Sequence, residues 1–389
     1  MRNRGLLLSS VAALLLLLTG LFLGLRPKAD KPTHIIPMPS EVLALTYSPD
    51  GRFLAVGQQV VVHGQDTRGY WAYATGKVQI RDIHSNAATE YPFVKDAHGL
   101  SGITYGPVSS LTYSPDGRWL LADSHIGNVG VMETATGRWI FSVQPQLSGR
   151  RCMSVGFTAD SREAVYAEVT KDRSVKYKDN AAAWKRAKHV TTLIFRRADT
   201  GEILKRTTNV LAPGEWPTQF RLLSAPNLIA IATMLGDDSE TFGFPAKIVL
   251  LDAGTGTRVT SVPLKSEATS QFSSDTRINT LASSAGGGYV AIVSSGGHLA
   301  VWNTRVRQSV AFPVPDDKLL WSVAVSPDGK ELAGSTTDGT VFVWSIQDAT
   351  VVRSLETHVK WIMSMAFSPD GKMLATAGED HAIRLWAVK

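Results

Sequence analysis

The tetrapeptide Ser-Pro-Asp-Gly occurs at Ser48–Gly51, Ser114–Gly117, Ser326–Gly329 and Ser368–Gly371. An apolar run precedes each copy and another follows, as Leu43–Tyr47 and Phe53–Val56 do around the first. Proline presets φ and glycine takes a positive φ, so each copy reads as strand, tight turn, strand. Eighteen residues after the motif serine stands a tryptophan, Trp344 in one unit and Trp386 in the next. A decayed copy opening at Ser284 has Trp302 at the same distance, while the step from Ser114 lands on Met132. Two further decayed hairpins open at Thr158 and Ser224. The seven anchors 48, 114, 158, 224, 284, 326 and 368 are spaced by 66, 44, 66, 60, 42 and 42 residues. Length alone would suggest two or three domains for 389 residues, but a repeat of about 42 allows one ring to absorb the chain.

Four short strands per unit, with a tryptophan closing the third, resemble the WD40 repeat family over residues 32–389. The resemblance implies an all-β, seven-bladed propeller. The name-giving Trp-Asp is lost here, since Trp302, Trp344 and Trp386 are followed by Asn303, Ser345 and Ala387. The family's hydrogen-bonded tetrad maps onto the last blade as His358, Thr376, Asp380 and Trp386. Only three residues follow Trp386, so the missing outer strand of that blade is expected from residues 33–38.

Residues 1–31 read as a membrane anchor with a short linker. Arg2 and Arg4 precede an uncharged apolar run from Gly5 to Leu25, 21 residues long. At ~1.5 Å per residue that covers a hydrocarbon core of ~30 Å. No small-x-small cleavage site ends it well, so an uncleaved, single-pass anchor is expected. The basic residues flanking the run tilt the orientation towards a ring on the non-cytoplasmic side, periplasmic if the source is bacterial. About seven residues would then join the anchor to the ring, at most ~25 Å, which holds the propeller against the bilayer.

The net charge of +6 is uneven. Residues 1–31 carry +4, residues 171–189 carry +5, and the remainder about −3. Basic charge in two short segments, not spread over a folded face, argues against nucleic acid as a partner. Cys152 is the single cysteine, so no intrachain disulfide is possible. It opens an inner strand, where a small apolar residue suits packing better than nucleophilic chemistry. His358, Asp380 and His381 suggest metal ligands, but the tetrad accounts for the first two. No Walker loop, His-Glu-x-x-His or Gly-x-Ser-x-Gly occurs, and no catalytic residue, metal or cofactor is expected.

Insertions are the individual feature. Counted from turn to third strand, blades 1, 3 and 4 carry roughly 15, 20 and 9 extra residues between strands two and three. In this family those loops emerge on one face. The first insertion holds His63, Tyr70, Trp71 and Tyr73, an aromatic set of the kind that dominates interfaces. The second holds Lys176, Tyr177 and Lys178, then a short helix capped by Asp179 or Asn180 and bearing Trp184, Lys185 and Arg186. The third holds Asp237, Asp238, Glu240 and Phe242. These loops are read as a docking surface for other proteins of a membrane complex, with anionic lipid as a further contact of the basic segment. The expected function is a membrane-tethered, non-catalytic scaffold. The alternative is a propeller enzyme or small-ligand sensor using the central channel, which would gather carboxylates or histidines at the channel mouth.

Overall fold

The computed structural model describes residues 30–66, 69–93, 106–143, 150–171, 189–212, 215–223, 227–235, 247–263, 278–294, 299–314, 318–356 and 361–388. Their 28 strands form seven four-stranded antiparallel sheets. Six sheets are contiguous in sequence: blades 1 (42–92), 2 (108–143), 3 (150–207), 4 (215–263), 5 (278–311) and 6 (320–356). Blade 7 takes its inner three strands from 362–387 and its outer strand from His34–Pro37, which pairs from His34↔Leu385 to Pro37↔Ala382. The ring is thus sealed by the beginning of the described chain lying on its end.

The Ser-Pro-Asp-Gly turn has a specific network. In blade 2 the Ser114 hydroxyl donates to Asp116 Oδ1 (2.6 Å) and accepts from the Trp119 N–H (3.0 Å). The same carboxylate oxygen accepts from the Arg118 N–H at 3.0 Å, and Gly117 closes the turn at φ 75°. This explains why serine, aspartate and glycine recur together: each satisfies backbone groups that a six-residue reversal leaves unpaired. The Thr158 turn keeps the network, with Ser161 at φ 63° in the glycine position. In blade 4 the pairing Leu222↔Ile229 corresponds to Tyr47↔Leu54 in blade 1. The turn position therefore falls on Leu223, one residue before the Ser224 expected from sequence.

The inner strands of six blades are bulged at the same level, as between Val42 and Ala44 or Pro217 and Gln219; in blade 3 the irregularity lies lower, between Ser154 and Gly156. Seven buried clusters fill the seven interfaces between adjacent blades. Cys152 belongs to the cluster between blades 2 and 3 and is buried there. Polar ties join neighbouring blades: inner strand to inner strand from Leu45 N–H to Ser364 Oγ (2.9 Å) and from Thr280 Oγ1 to the Trp321 carbonyl (3.2 Å), and from Ser154 Oγ on the inner strand of blade 3 to Asp123 Oδ2 on the second strand of blade 2 (2.6 Å).

Among the described residues every element is a strand, and no helix is long and apolar enough to cross a membrane. The expected anchor, Gly5–Leu25, lies outside the described residues.

Candidate functional site

Three tryptophans share one position in their blades and illustrate how local sequence sets a side chain's fate. Trp386, fully buried, donates its indole N–H to Thr376 Oγ1 at 3.0 Å. In blade 6 the residue matching Thr376 is Gly334, on which the Trp344 ring rests, and Trp344 donates instead to the Pro313 carbonyl at 3.0 Å. In blade 5 it is Ile292, and the buried Trp302 N–H finds no partner among the described residues. Of the expected tetrad, Asp380 binds Arg384 four residues on, and His358 lies outside the described residues. His381 sits exposed at φ 56°, and among the described residues no three His, Cys, Asp or Glu side chains gather as a metal site.

The enlarged segments of blades 1, 3 and 4 all join strands two and three, as register requires: Asp66↔Gly69, Lys171↔His189 and Thr233↔Lys247 are the last described pairs. Antiparallel alternation puts these ends on one face of the ring. Blade 1 departs from the expected loop. Its strands Phe53–Asp66 and Gly69–Asp82 stay paired throughout, making a β-ribbon that runs eight pairs past Gln58↔Lys77. At ~3.3 Å per residue it projects about 25 Å. His63 pairs with Ala72, Tyr73 with Val62, Trp71 with Gly64 and Tyr70 with Gln65, so the aromatic set belongs to a strand pair. The β-branched run Val60, Val61 and Val62, paired with Thr75, Ala74 and Tyr73, favours a ribbon over a loop. Lys176, Tyr177, Lys178, Trp184, Lys185, Arg186, Asp237, Asp238 and Phe242 lie outside the described residues.

On the same face opens the central channel, about 1120 Å³, lined by the inner strands of all seven blades. Its mouth holds Trp216 and Trp321 with His125, Arg151 and Glu41. Trp321 is braced edge-on by Trp361, ring centroids 4.8 Å apart. Desolvation lowers the His125 pKa; Asp123 opposes this and Arg151 adds to it, which favours the neutral imidazole. Below the mouth comes a polar belt of Ser110, Ser154, Gln219, Thr280, Ser322 and Ser364. Lower still, at the level two residues before the turn position, six blades place Thr46, Thr112, Gly156, Ala282, Ala324 and Ala366; blade 4 places Arg221. The mouth therefore combines aromatic faces with charged and hydrogen-bonding groups. Neither Trp216 and Trp321 at the mouth nor Arg221 was singled out from sequence, because the bulges that set which inner-strand side chains meet the channel show only in strand pairing.

A ring of seven four-stranded sheets with a lined axial channel defines a seven-bladed β-propeller. The family described as "WD domain, G-beta repeat" matches residues 309–345 and 349–387, which lie within the last two blades and the strand before them. Among solved structures, the β-propeller domain of Myceliophteria thermophila Cps50 (Swd1) is similar at 16% identity and a TM-score of 0.64, over 92% of this chain and 99% of that one. No curated protein matches the sequence. The protein is a seven-bladed β-propeller whose last two blades match the WD40 repeat.

Proposed function

We propose that this propeller is a non-catalytic platform that holds other proteins at a membrane. The observation that carries the reading is the one-sided enlargement of blades 1, 3 and 4 around a tryptophan-lined mouth. A ring needs none of this to close, as the five-pair second hairpin of blade 6 demonstrates. Val61, half exposed at 50% near the base of the ribbon, adds apolar surface to that face. The aromatic set His63, Tyr70, Trp71 and Tyr73 falls on that strand pair, and residues of this type dominate interface energetics. The partner is another subunit of a membrane complex, and no cofactor is needed. The apolar run Gly5–Leu25 tethers the ring as a single-pass anchor, with the propeller on the non-cytoplasmic side, and the basic segment 171–189 adds contact with anionic headgroups.

The test compares full-length protein purified in mild detergent with a variant whose residues 60–75 are replaced by a two-residue turn. The variant is expected to lose its co-purifying proteins while keeping its melting temperature. Recovery of the same proteins in the same yield would overturn the docking role of the ribbon. Carbonate washing tests the tether separately: the protein stays with the membrane and retains Met1 or Arg2. A mature N-terminus between residues 20 and 32 ends the anchor proposal.

A further inference from the structure

Arg221 breaks a rule that the other six blades keep. At its level in the channel they present threonine, glycine or alanine, and it alone is large and charged. Bulge position and register both place it there, one pair above the last shared pair of its hairpin. The nearest acidic influence is Asp123. That carboxylate is already occupied: Oδ1 accepts from Ser109 Oγ at 2.7 Å, and Oδ2 from the Ser154 N–H at 2.8 Å and its hydroxyl at 2.6 Å. Among the described residues no hydrogen bond or ion pair reaches the Arg221 guanidinium. A second group stands on the adjoining blade: Asn279 lines the same channel, and its buried Nδ2 has no partner among the described residues. Burial disfavours the charged guanidinium, with Asp123 opposing. Arginine keeps its charge in proteins nonetheless, so a guanidinium half-buried in the channel wall offers its donors to an anionic ligand.

We infer that the channel is a binding site for a carboxylate, gripped by the Arg221 fork, with the Asn279 and Gln219 amides as neutral donors. The fork's parallel N–H groups match the two oxygens of a carboxylate. A phosphate dianion fits less well, because Arg221 is the one cation at this level and Asp123 repels a second negative charge. At the mouth Glu41 offsets Arg151, so preference for an anion rests on the Arg221 fork, while Trp216 and Trp321 offer faces to an apolar remainder. The carboxylate arrives either on a free organic acid or on an acidic side chain inserted by a partner. The site stands whether or not the ribbon face docks a protein.

The experiment uses the detergent-purified full chain and calorimetric titration at fixed ionic strength with three probes: succinate, acetyl-Gly-Glu-Gly-amide and inorganic phosphate. Succinate or the blocked peptide is expected to bind at millimolar concentration or tighter, and the one that binds identifies the source. Arg221→Ala installs the residue that three other blades carry, and it should weaken binding at least ten-fold. Arg221→Lys, which retains charge without the fork, should recover only part of it. Arg221→Met, which keeps the stem, serves the same purpose if the alanine variant does not fold. Three results would each overturn the site: neither carboxylate binding, phosphate binding as well as succinate, or an arginine variant binding as the wild type does.

Discussion

Blade 7 and blade 4 meet the same geometric requirement with different chemistry. Blade 7 uses the repeat's own devices, a hydrogen-bonded turn at Ser368 and an indole satisfied by Thr376. In blade 4 the position of Trp386 is Leu251, packed among Phe220, Ile229, Ile231 and Val249. Its polar anchoring moves to Glu215, whose buried carboxylate binds Lys247, Arg258 and the Ala212 N–H. Blade 3 makes a related exchange: Arg196 replaces the tryptophan, lying over Phe141 (4.9 Å) and bonding the Tyr166 hydroxyl (3.2 Å). Ring geometry is fixed by strand count and interface filling. The groups that satisfy it are free to change, and blades 3 and 4, which made these exchanges, both carry an insertion, blade 4 with Arg221 besides.

The comparison breaks most visibly at the closing strand, because blade 7 alone depends on a distant segment. Deleting residues 33–38 should lower the melting temperature by more than about 10 °C, far beyond the effect of removing residues 5–25. Equal melting temperatures for the two truncations would show that the strand is dispensable.

Next in size is the ion cluster of blade 4. Glu215→Ala strands Lys247 and Arg258 beside an emptied site and should cost about 2–3 kcal/mol in urea unfolding. Asp380→Ala in blade 7, where the pair with Arg384 is partly exposed, should cost under about 1 kcal/mol. Burial opposes ionisation of Glu215, but hydrogen bonds from Arg258, Lys247 and Ala212 outweigh it and hold the pKa below the ordinary value. Its stabilisation is therefore present above the unfolded-state pKa and is lost as pH falls through the lowered folded one. Wild type should lose stability more steeply than Glu215→Ala across that acid range, and parallel curves would refute the assignment.

Smaller effects sharpen the tryptophan series. Trp386→Phe leaves the Thr376 hydroxyl without its partner, whereas Trp302→Phe removes an N–H that had none. Both variants lose ring volume, so the informative quantity is the gap, expected at about 1 kcal/mol with Trp386→Phe the worse. Smallest is Asp338, in the plain blade 6. Burial raises its pKa, but hydrogen bonds from Thr336 and Lys318 outweigh that and hold it at about 2. Its contribution is present above the unfolded-state value near 4 and disappears as pH falls through about 2. With the side chain half exposed, Asp338→Asn should change stability at pH 7 by less than about 1 kcal/mol in chemical denaturation.

The ring and the placement of its insertions were legible because turn chemistry is local: Ser, Asp and Gly must sit at fixed offsets for their hydrogen bonds to form. Where that chemistry decayed, the reading slipped, and Ser224 was taken for a position that strand pairing gives to Leu223. The ribbon of blade 1 was read as a loop because strand pairing there depends on register between residues, not on composition. Arg221 went unnoticed for a related reason. A bulge higher in each inner strand shifts which side chains meet the channel, so facing cannot be counted from the turn by alternation alone.

The strand His34–Pro37 also orders events in time. It is among the first parts of the ring to leave a ribosome, yet the Thr33 hydroxyl bonds the Leu385 carbonyl, 352 residues away. At roughly 5–20 residues per second, its partner is not yet made for about 20–70 s. Throughout that wait Ile35 and Ile36 remain an unpaired apolar edge, and the six contiguous blades form beside a gap. A stalled or shortened chain would leave that gap open on both sides, so synthesis that runs to the end is itself a condition for a closed, non-adhesive ring.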